Sequence, residues 1–301
     1  MEELKAGDIL VFKAGDDWVG KTIAWLTDSD VSHAAMMLDH EKMVEMGSNG
    51  IYAGPVRALD GDRAALLRFQ PEKDPAPLAE AAKRYLDSKT RYDFPVLALL
   101  SGLIIYRRIR PTPKLVAITD TVLRAACVAL DRLIQSVILK NPDQAMVCSQ
   151  LVYQVYEDCG EEYHIVIKGG LFQNADAIDM AGGTDMADGY ICLADLADTV
   201  TGNDLAALAD NSIRTEEELA RELFYALTEP EPEMDGMMGA DTIDLGNLPS
   251  WTNRFLEKLE EFLEKSESNI PLDALFITPA DLAYKAANLT TVAQLDIKRI
   301  R

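Results

Sequence analysis

Basic side chains are in short supply: 29 lysines and arginines stand against 50 aspartates and glutamates, a formal net charge of -21. A surface of that sign repels phosphate, which excludes duplex and single-stranded nucleic acid as partners. The one basic cluster, Arg107, Arg108 and Arg110, is too short to reverse this. Cysteine is scarce as well. Cys127, Cys148, Cys159 and Cys192 contain no CxxC pair, so neither a zinc site nor a disulfide framework is expected, and three of the four read as small buried apolar side chains. The longest apolar run, Phe94 to Tyr106, has 13 residues, against the roughly 20 that a bilayer crossing needs. Met1 to Asp8 carries charges where a secretory signal is apolar, which makes the cytoplasm the expected location.

Apolar residues make up 48% of the 301 positions, enough for a substantial core, and a chain of this length is expected to form two compact units. Gly7 to Phe12 reads as a short buried strand and Trp18 to Leu26 as a helix. Ala34 to Leu38 and Met43 to Met46, joined by the polar turn Asp39 to Lys42, form a hairpin. Gly47 to Gly54 reads as a glycine-rich loop and Ala64 to Phe69 as a further strand. Leu78 to Ser88 is an amphipathic helix after the break at Pro71 to Pro77. Phe94 to Lys140 is helical in pattern, interrupted at Pro111 and Pro113. A short helix starts at Cys148 and is closed by Gly160, and Tyr163 to Ile167 is strand-like. Residues 195–269 turn acidic, with helices near Glu216 to Leu227 and Ser250 to Glu264; such charge marks solvated helix faces. The fold class this implies is α+β, a small antiparallel, partly barrel-like sheet packed on the Cys148 helix.

Three side chains in that arrangement point to thiol chemistry. Cys148 opens its helix, where the positive end of the backbone dipole favours a thiolate. His33 and Glu45 flank the hairpin and lie twelve residues apart, so pairing across a short turn brings them near each other on one face. A thiol nucleophile needs such a base, and the base needs such an acid to orient it. His40, in the turn, and His164, after the helix, are weaker candidates for the base.

Four local motifs extend this. Gly7-Asp8-Ile9-Leu10, Ser32-His33-Ala34-Ala35-Met36, Tyr92-Asp93-Phe94 and Val147-Cys148-Ser149-Gln150-Leu151-Val152 resemble, in order, motifs of the permuted papain-like branch of the NlpC-type cysteine peptidase superfamily. That group includes YiiX-like proteins and, more distantly, lecithin:retinol acyltransferase-like enzymes. Ile277 to Leu282 and Asn288-Leu289 resemble the PxDL…NL ending of some members. The resemblance implies a circularly permuted papain-like fold over residues 1–194 with a helical insertion at 94–142, an acidic helical insertion at 195–270, and a return to the catalytic domain at 271–301.

The resemblance further implies an acyl-enzyme formed on Cys148, with His33 as base, Glu45 as orienting acid, and Tyr92 near the nucleophile at the oxyanion or the substrate cleft. No metal or organic cofactor is expected. The expected substrate is a peptide, another amide, or a lipid-like acyl donor. The Phe94 to Leu139 insertion offers an acyl-chain groove or a membrane-surface contact through Arg107, Arg108 and Arg110; its blander reading is a subdomain closing its own core, or an interface between copies in a homo-oligomer. A different class remains open: a non-catalytic papain-fold scaffold that engages a partner through the acidic helices.

Overall fold

Strand β1 (Ile9–Lys13) is covered on both faces, since Ile9, Leu10, Val11 and Phe12 are all fully buried. The computed structural model describes residues 3–15, 20–21, 23–24, 27, 29–47, 49–92, 119, 122–124, 126–127, 130–131, 134, 145–169, 248–266 and 276–299, with the side chains of 57–62, 91–92, 145, 248–249, 263, 266 and 298–299 left aside. The chain divides into two compact units, one of residues 1–93, 144–178 and 271–301, the other of 94–143 and 179–270.

In the first unit β1 pairs antiparallel with β2 (Val31–Met37), β2 with β3 (Lys42–Gly47), and β3 with β4 (Gly50–Phe69). The second half of β4 returns to pair with β1, which closes these four strands on themselves. β7 (Leu289–Arg299) adds to β4. The class is α+β, with an antiparallel sheet. One face of the sheet collects Leu10, Phe12, Ala35, Met37 and Met43. The other collects Val11, Ala34, Met36, Val44 and Met46 under α2 (Cys148–Glu157), which buries Leu151, Val152, Val155 and Tyr156 there. Each of the valine, leucine, methionine and phenylalanine side chains among them contributes roughly 1.5–3 kcal/mol when fully buried. α1 (Ala76–Ser88) adds Leu78, Ala81 and Ala82 to this core.

Two expectations are corrected. Gly47 to Gly54 is not a loop: β4 begins at Gly50, and Gly50, with φ of +101°, makes a turn so tight that Gly47 and Gly50 are already cross-strand partners. Tyr163 to Ile167 is not a strand. Glu161–Tyr163 is a 3-10 turn after Gly160, and the segment behind it is held by the distant chain end, through a bridge from Ile167 to Ala286 and through Asn288. The Asn288 side chain accepts the Val166 N–H at 2.9 Å and donates to the His164 carbonyl at 2.8 Å. The helix expected over Trp18 to Leu26 is helical at 20–21 and 23–24, the residues of it that fall within the description.

The opening Gly-Asp motif is structural. Gly7 has φ of +84°, and a Cβ there would lie 2.9 Å from the Leu78 side chain; Tyr156 donates its hydroxyl to the Gly7 carbonyl. Asp8, 2% exposed, accepts two hydrogen bonds from Arg68 at 2.7 and 2.8 Å. Gly7→Ala is therefore expected to lower unfolding stability by about 1–3 kcal/mol, the usual cost of a forced left-handed residue. Urea unfolding followed by circular dichroism checks it, and an unchanged midpoint would refute the packing argument.

In the second unit α3 (Leu248–Ser266) buries Trp251, Phe255, Leu259 and Phe262, spaced at helical intervals. The helical residues within 119–134 meet it: Arg124 and Arg254 both lie over the Trp251 ring, and Lys258 pairs with Asp131. The expected helix at Glu216 to Leu227, most of the Phe94 to Lys140 segment with Arg107, Arg108 and Arg110, the 194/195 boundary, and Cys192 lie outside the described residues. Among the described residues no helix is long and apolar enough to cross a membrane.

Candidate active site

α2 starts abruptly. Val147, in extended conformation, is its N-cap, and Gln150, three residues on, reaches back so that its Oε1 accepts the Val147 N–H at 3.3 Å. This is the return half of a capping box, which explains a Gln at that position. Cys148 is thus the first helical residue, in the turn whose N–H groups lack intrahelical partners and carry the positive end of the dipole. Ser149, 1% exposed, donates its hydroxyl to the Ile277 carbonyl at 2.7 Å and so bolts the helix start to the returning C-terminal segment. That segment is itself tied down. Asp281 accepts the Thr278 N–H and hydroxyl at 2.9 and 2.7 Å and pairs with Lys285 at 2.8 Å, at the head of a single π-helical turn, Asp281–Lys285.

His33 arrives from β2 through an irregularity. Phe12 lies opposite His33 but Lys13 lies opposite Val31, so Ser32 is an extra residue in the ladder. A bulge of this kind re-aims the side chains around it. It leaves Val31 and Ala34 on the α2 face while His33 packs on Phe12, ring centroids 5.7 Å apart. Glu45, on β3 opposite Ala35, is 1% exposed and is hydrogen-bonded to His33 Nε2. With Nε2 turned to the carboxylate, the other ring nitrogen, Nδ1, is left to meet the thiol, and Cys148 hydrogen-bonds the His33 ring.

The three groups settle one another's charge. Burial works against a charged ring at His33, but the negative sulfur of Cys148 and its hydrogen bond, followed by Glu45, outweigh it and push the imidazole up to about 9. Burial likewise opposes a thiolate at Cys148. The His33 charge and hydrogen bond, joined by the backbone N–H groups of Ala34 and Ser149, reverse this and hold the thiol below its usual range. Each group thus favours the charged form of the other, the thiol drawn toward the thiolate and the imidazole toward the imidazolium. The other described cysteines go the opposite way: burial pushes Cys127 up to about 12 and also raises Cys159.

The structure thus brings Cys148, His33 and Glu45 together. Tyr92 sits in a two-residue strand, β5 (Arg91–Tyr92), which pairs parallel with β6 (Ala145–Met146); Tyr92 is opposite Met146, two residues before the nucleophile, while its side chain lies outside the description. His40 is exposed beside Glu41, and His164 is hydrogen-bonded to Glu157 at 2.6 Å. Sequence reasoning did not find the roles of Ser149, Gln150, Ala34 and Phe12. A polar pair inside a helix start was a signal for the first two; the others needed the strand register. Among the described residues no group of three or more histidines, cysteines or carboxylates is placed to hold a metal ion. Set beside known proteins, the chain matches no family model, no curated protein and no solved structure.

Proposed function

We propose that this protein is a cysteine-dependent hydrolase or acyltransferase of the circularly permuted papain-like kind, cleaving an amide or ester through an acyl-enzyme on Cys148. The observation that carries the reading is the Cys148–His33–Glu45 chain, buried at both ends and half-buried at the ring, in which a thiol held below its usual range meets an imidazole held above its own. A thiolate so placed forms a bond from Sγ to the acyl carbon, and the carbonyl oxygen takes the electron pair. First-turn N–H groups of α2, that of Cys148 foremost, are the donors at hand for this oxyanion. When the tetrahedral adduct collapses, the bond to the amine or alcohol breaks and the His33 imidazolium gives that group its proton. His33, now neutral, takes a proton from water or from an acceptor hydroxyl or amine. That nucleophile attacks the thioester, and the thiolate leaves. Glu45 holds the ring in the required tautomer and stabilises its charged form. Tyr92, by resemblance, borders the oxyanion or the cleft.

Alkylation with iodoacetamide, followed by intact mass and peptide mapping, tests the reading. Cys148 should react in preference to Cys127, Cys159 and Cys192, with a rate that climbs through an inflection well below the ordinary thiol range and then levels, because the thiolate is already formed. Turnover of an acyl donor should share that rising limb and then fall near pH 9, where the imidazolium that protonates the leaving group is lost. A Cys148 that stays inert below pH 8 would sink the proposal and favour the scaffold reading.

A further inference from the structure

The phenol of Tyr52 is a buried group that the chemistry above leaves unused. Tyr52 on β4 lies opposite Glu45 on β3, and opposite residues of an antiparallel pair project from the same face. Its ring leans along the strands over Gly47: a Cβ on that glycine would lie 3.3 Å from the ring edge, so the absence of a side chain is what seats the ring. Counting on from Ala35 opposite Glu45, His33 on β2 is level with Gly47. The Glu45 carboxylate leans toward the same level, since it is hydrogen-bonded to the His33 ring. Imidazole and phenol therefore flank one carboxylate, the first from β2 and the second from β4. The Tyr52 side chain is half-buried, yet its hydroxyl oxygen is buried and has no hydrogen-bond partner among the described residues. Such a hydroxyl costs stability, and phenylalanine would fill the same space without that cost.

Solvent does not reach the hydroxyl, so its partner has to be a group of the protein already beside it. The neighbours of Tyr52 on its own face, along β4 and across on β3, are Gly50, Gly54, Met43, Glu45 and Gly47. Only Glu45 has a side-chain oxygen to accept a hydrogen bond. The demand on that carboxylate changes during the reaction. While His33 is charged, the ring answers the Glu45 charge; once Nδ1 has given its proton to the leaving group, Nε2–H still bonds the carboxylate but the compensating charge is gone. We propose that Tyr52 is a positioning residue whose hydroxyl, by rotation of its own side chain, donates to the Glu45 carboxylate in the step where His33 is neutral. That bond holds Glu45 ionised, which keeps Nε2–H pointed at it and leaves Nδ1 to take the next proton from water or from the acceptor. No proton is transferred to or from Tyr52. The inference rests on the acyl-transfer reading above and adds a fourth side chain to it.

The charged groups that act on the His33 ring are Cys148 from α2 and Glu45 from β3, while β1 presents the apolar Phe12. The titration of His33 therefore reports on the surroundings of Glu45. A donor that bonds the carboxylate mainly when the ring is neutral favours the neutral ring, so its loss should raise the imidazole further. Nuclear magnetic resonance titration of the full chain, isotopically labelled in its histidine rings and assigned with the His40→Ala and His164→Ala chains, measures this. Tyr52→Phe should move the His33 midpoint up by about one pH unit, the lower end of what a hydrogen bond to a charged group supplies, with a thermal unfolding midpoint at pH 7 equal to or above the parent's. In the Glu45→Gln chain the same substitution should move it by a small fraction of that, because the charge it acts through is gone. A His33 midpoint that Tyr52→Phe leaves in place, or moves equally with and without the Glu45 charge, overturns the role. A lowered thermal midpoint with no change in the titration does so as well, and makes the hydroxyl structural. Iodoacetamide alkylation of the parent chain separates the two levels. Slow labelling of Cys148 overturns the acyl-transfer reading, and Tyr52 loses its role with it; rapid labelling beside an unmoved His33 midpoint leaves the thiolate standing and removes Tyr52 alone.

Discussion

Replacing Cys148 with alanine is expected to lower turnover of an acyl donor by on the order of 10^3- to 10^6-fold, as loss of a covalent nucleophile does elsewhere, with the fold retained. The two parts of this expectation come from different features. Activity goes because the acyl group has nowhere to reside. The other described cysteines sit in surroundings that raise their thiols, Cys127 to about 12, so neither substitutes. The fold stays because the α2 start does not depend on the sulfur. Gln150 still accepts the Val147 N–H, Ser149 still holds the Ile277 carbonyl, and alanine is the best residue for a helix interior. His33, stripped of its sulfur partner, keeps Glu45. Far-ultraviolet circular dichroism and thermal unfolding of the variant, beside its turnover, check both parts. A chain that no longer folds would make Cys148 a structural residue.

Much of the site was legible because it is built from short-range rules. A hairpin with a polar turn puts residues about a dozen apart on neighbouring strands, and β2 and β3 do this for His33 and Glu45. A cysteine ahead of an amphipathic run becomes the first residue of a helix, as Cys148 is. What was not legible depends on contacts between distant segments. The Ser32 bulge comes from the β1–β2 register, and no alternation in Val31 to Met37 announces it. Gly47 to Gly54 looked like loop because glycine hides alternation, yet the cross-strand pairing from Gly50 onward makes it strand. Tyr163 to Ile167 had strand composition for a different reason: it buries Tyr163, Ile165 and Ile167 while its backbone is bonded to residues 285–288, more than a hundred positions later. A long-range tie also gives Ser149 its role, since it holds the Ile277 carbonyl against the nucleophile helix, while Asp281 braces the same segment from within through Thr278. The motifs at Gly7-Asp8, Asp281 and Asn288 therefore mark the frame around the site, while those at His33 and Cys148 mark its chemistry.

His33→Ala and Glu45→Gln separate the base from its orienting group. Without the ring, Cys148 loses the charge and the hydrogen bond that oppose its burial, and burial is the largest influence on it. The thiol therefore rises, and alkylation at neutral pH falls together with turnover. Turnover is expected to drop about 10^2- to 10^4-fold, the range for loss of a positioned acid–base group. Glu45→Gln keeps an oxygen that accepts the His33 Nε2–H and removes only the charge, so turnover falls by roughly ten-fold to a hundred-fold, less than for the base itself. The sign of the pH effect follows from the cause of the shift. The Glu45 carboxylate is one of the groups that lift His33 to about 9, so its neutral replacement lowers the imidazole and moves the falling limb of the turnover profile to lower pH. The rising limb moves the other way, because an imidazole that is less often charged supports the thiolate less. The window of the ion pair narrows from both sides. Turnover and iodoacetamide alkylation of both variants across pH 5 to 10 measure this directly. Equal losses in the two variants, or a Glu45→Gln profile whose limbs stay where they were, would remove Glu45 from the role of orienting acid.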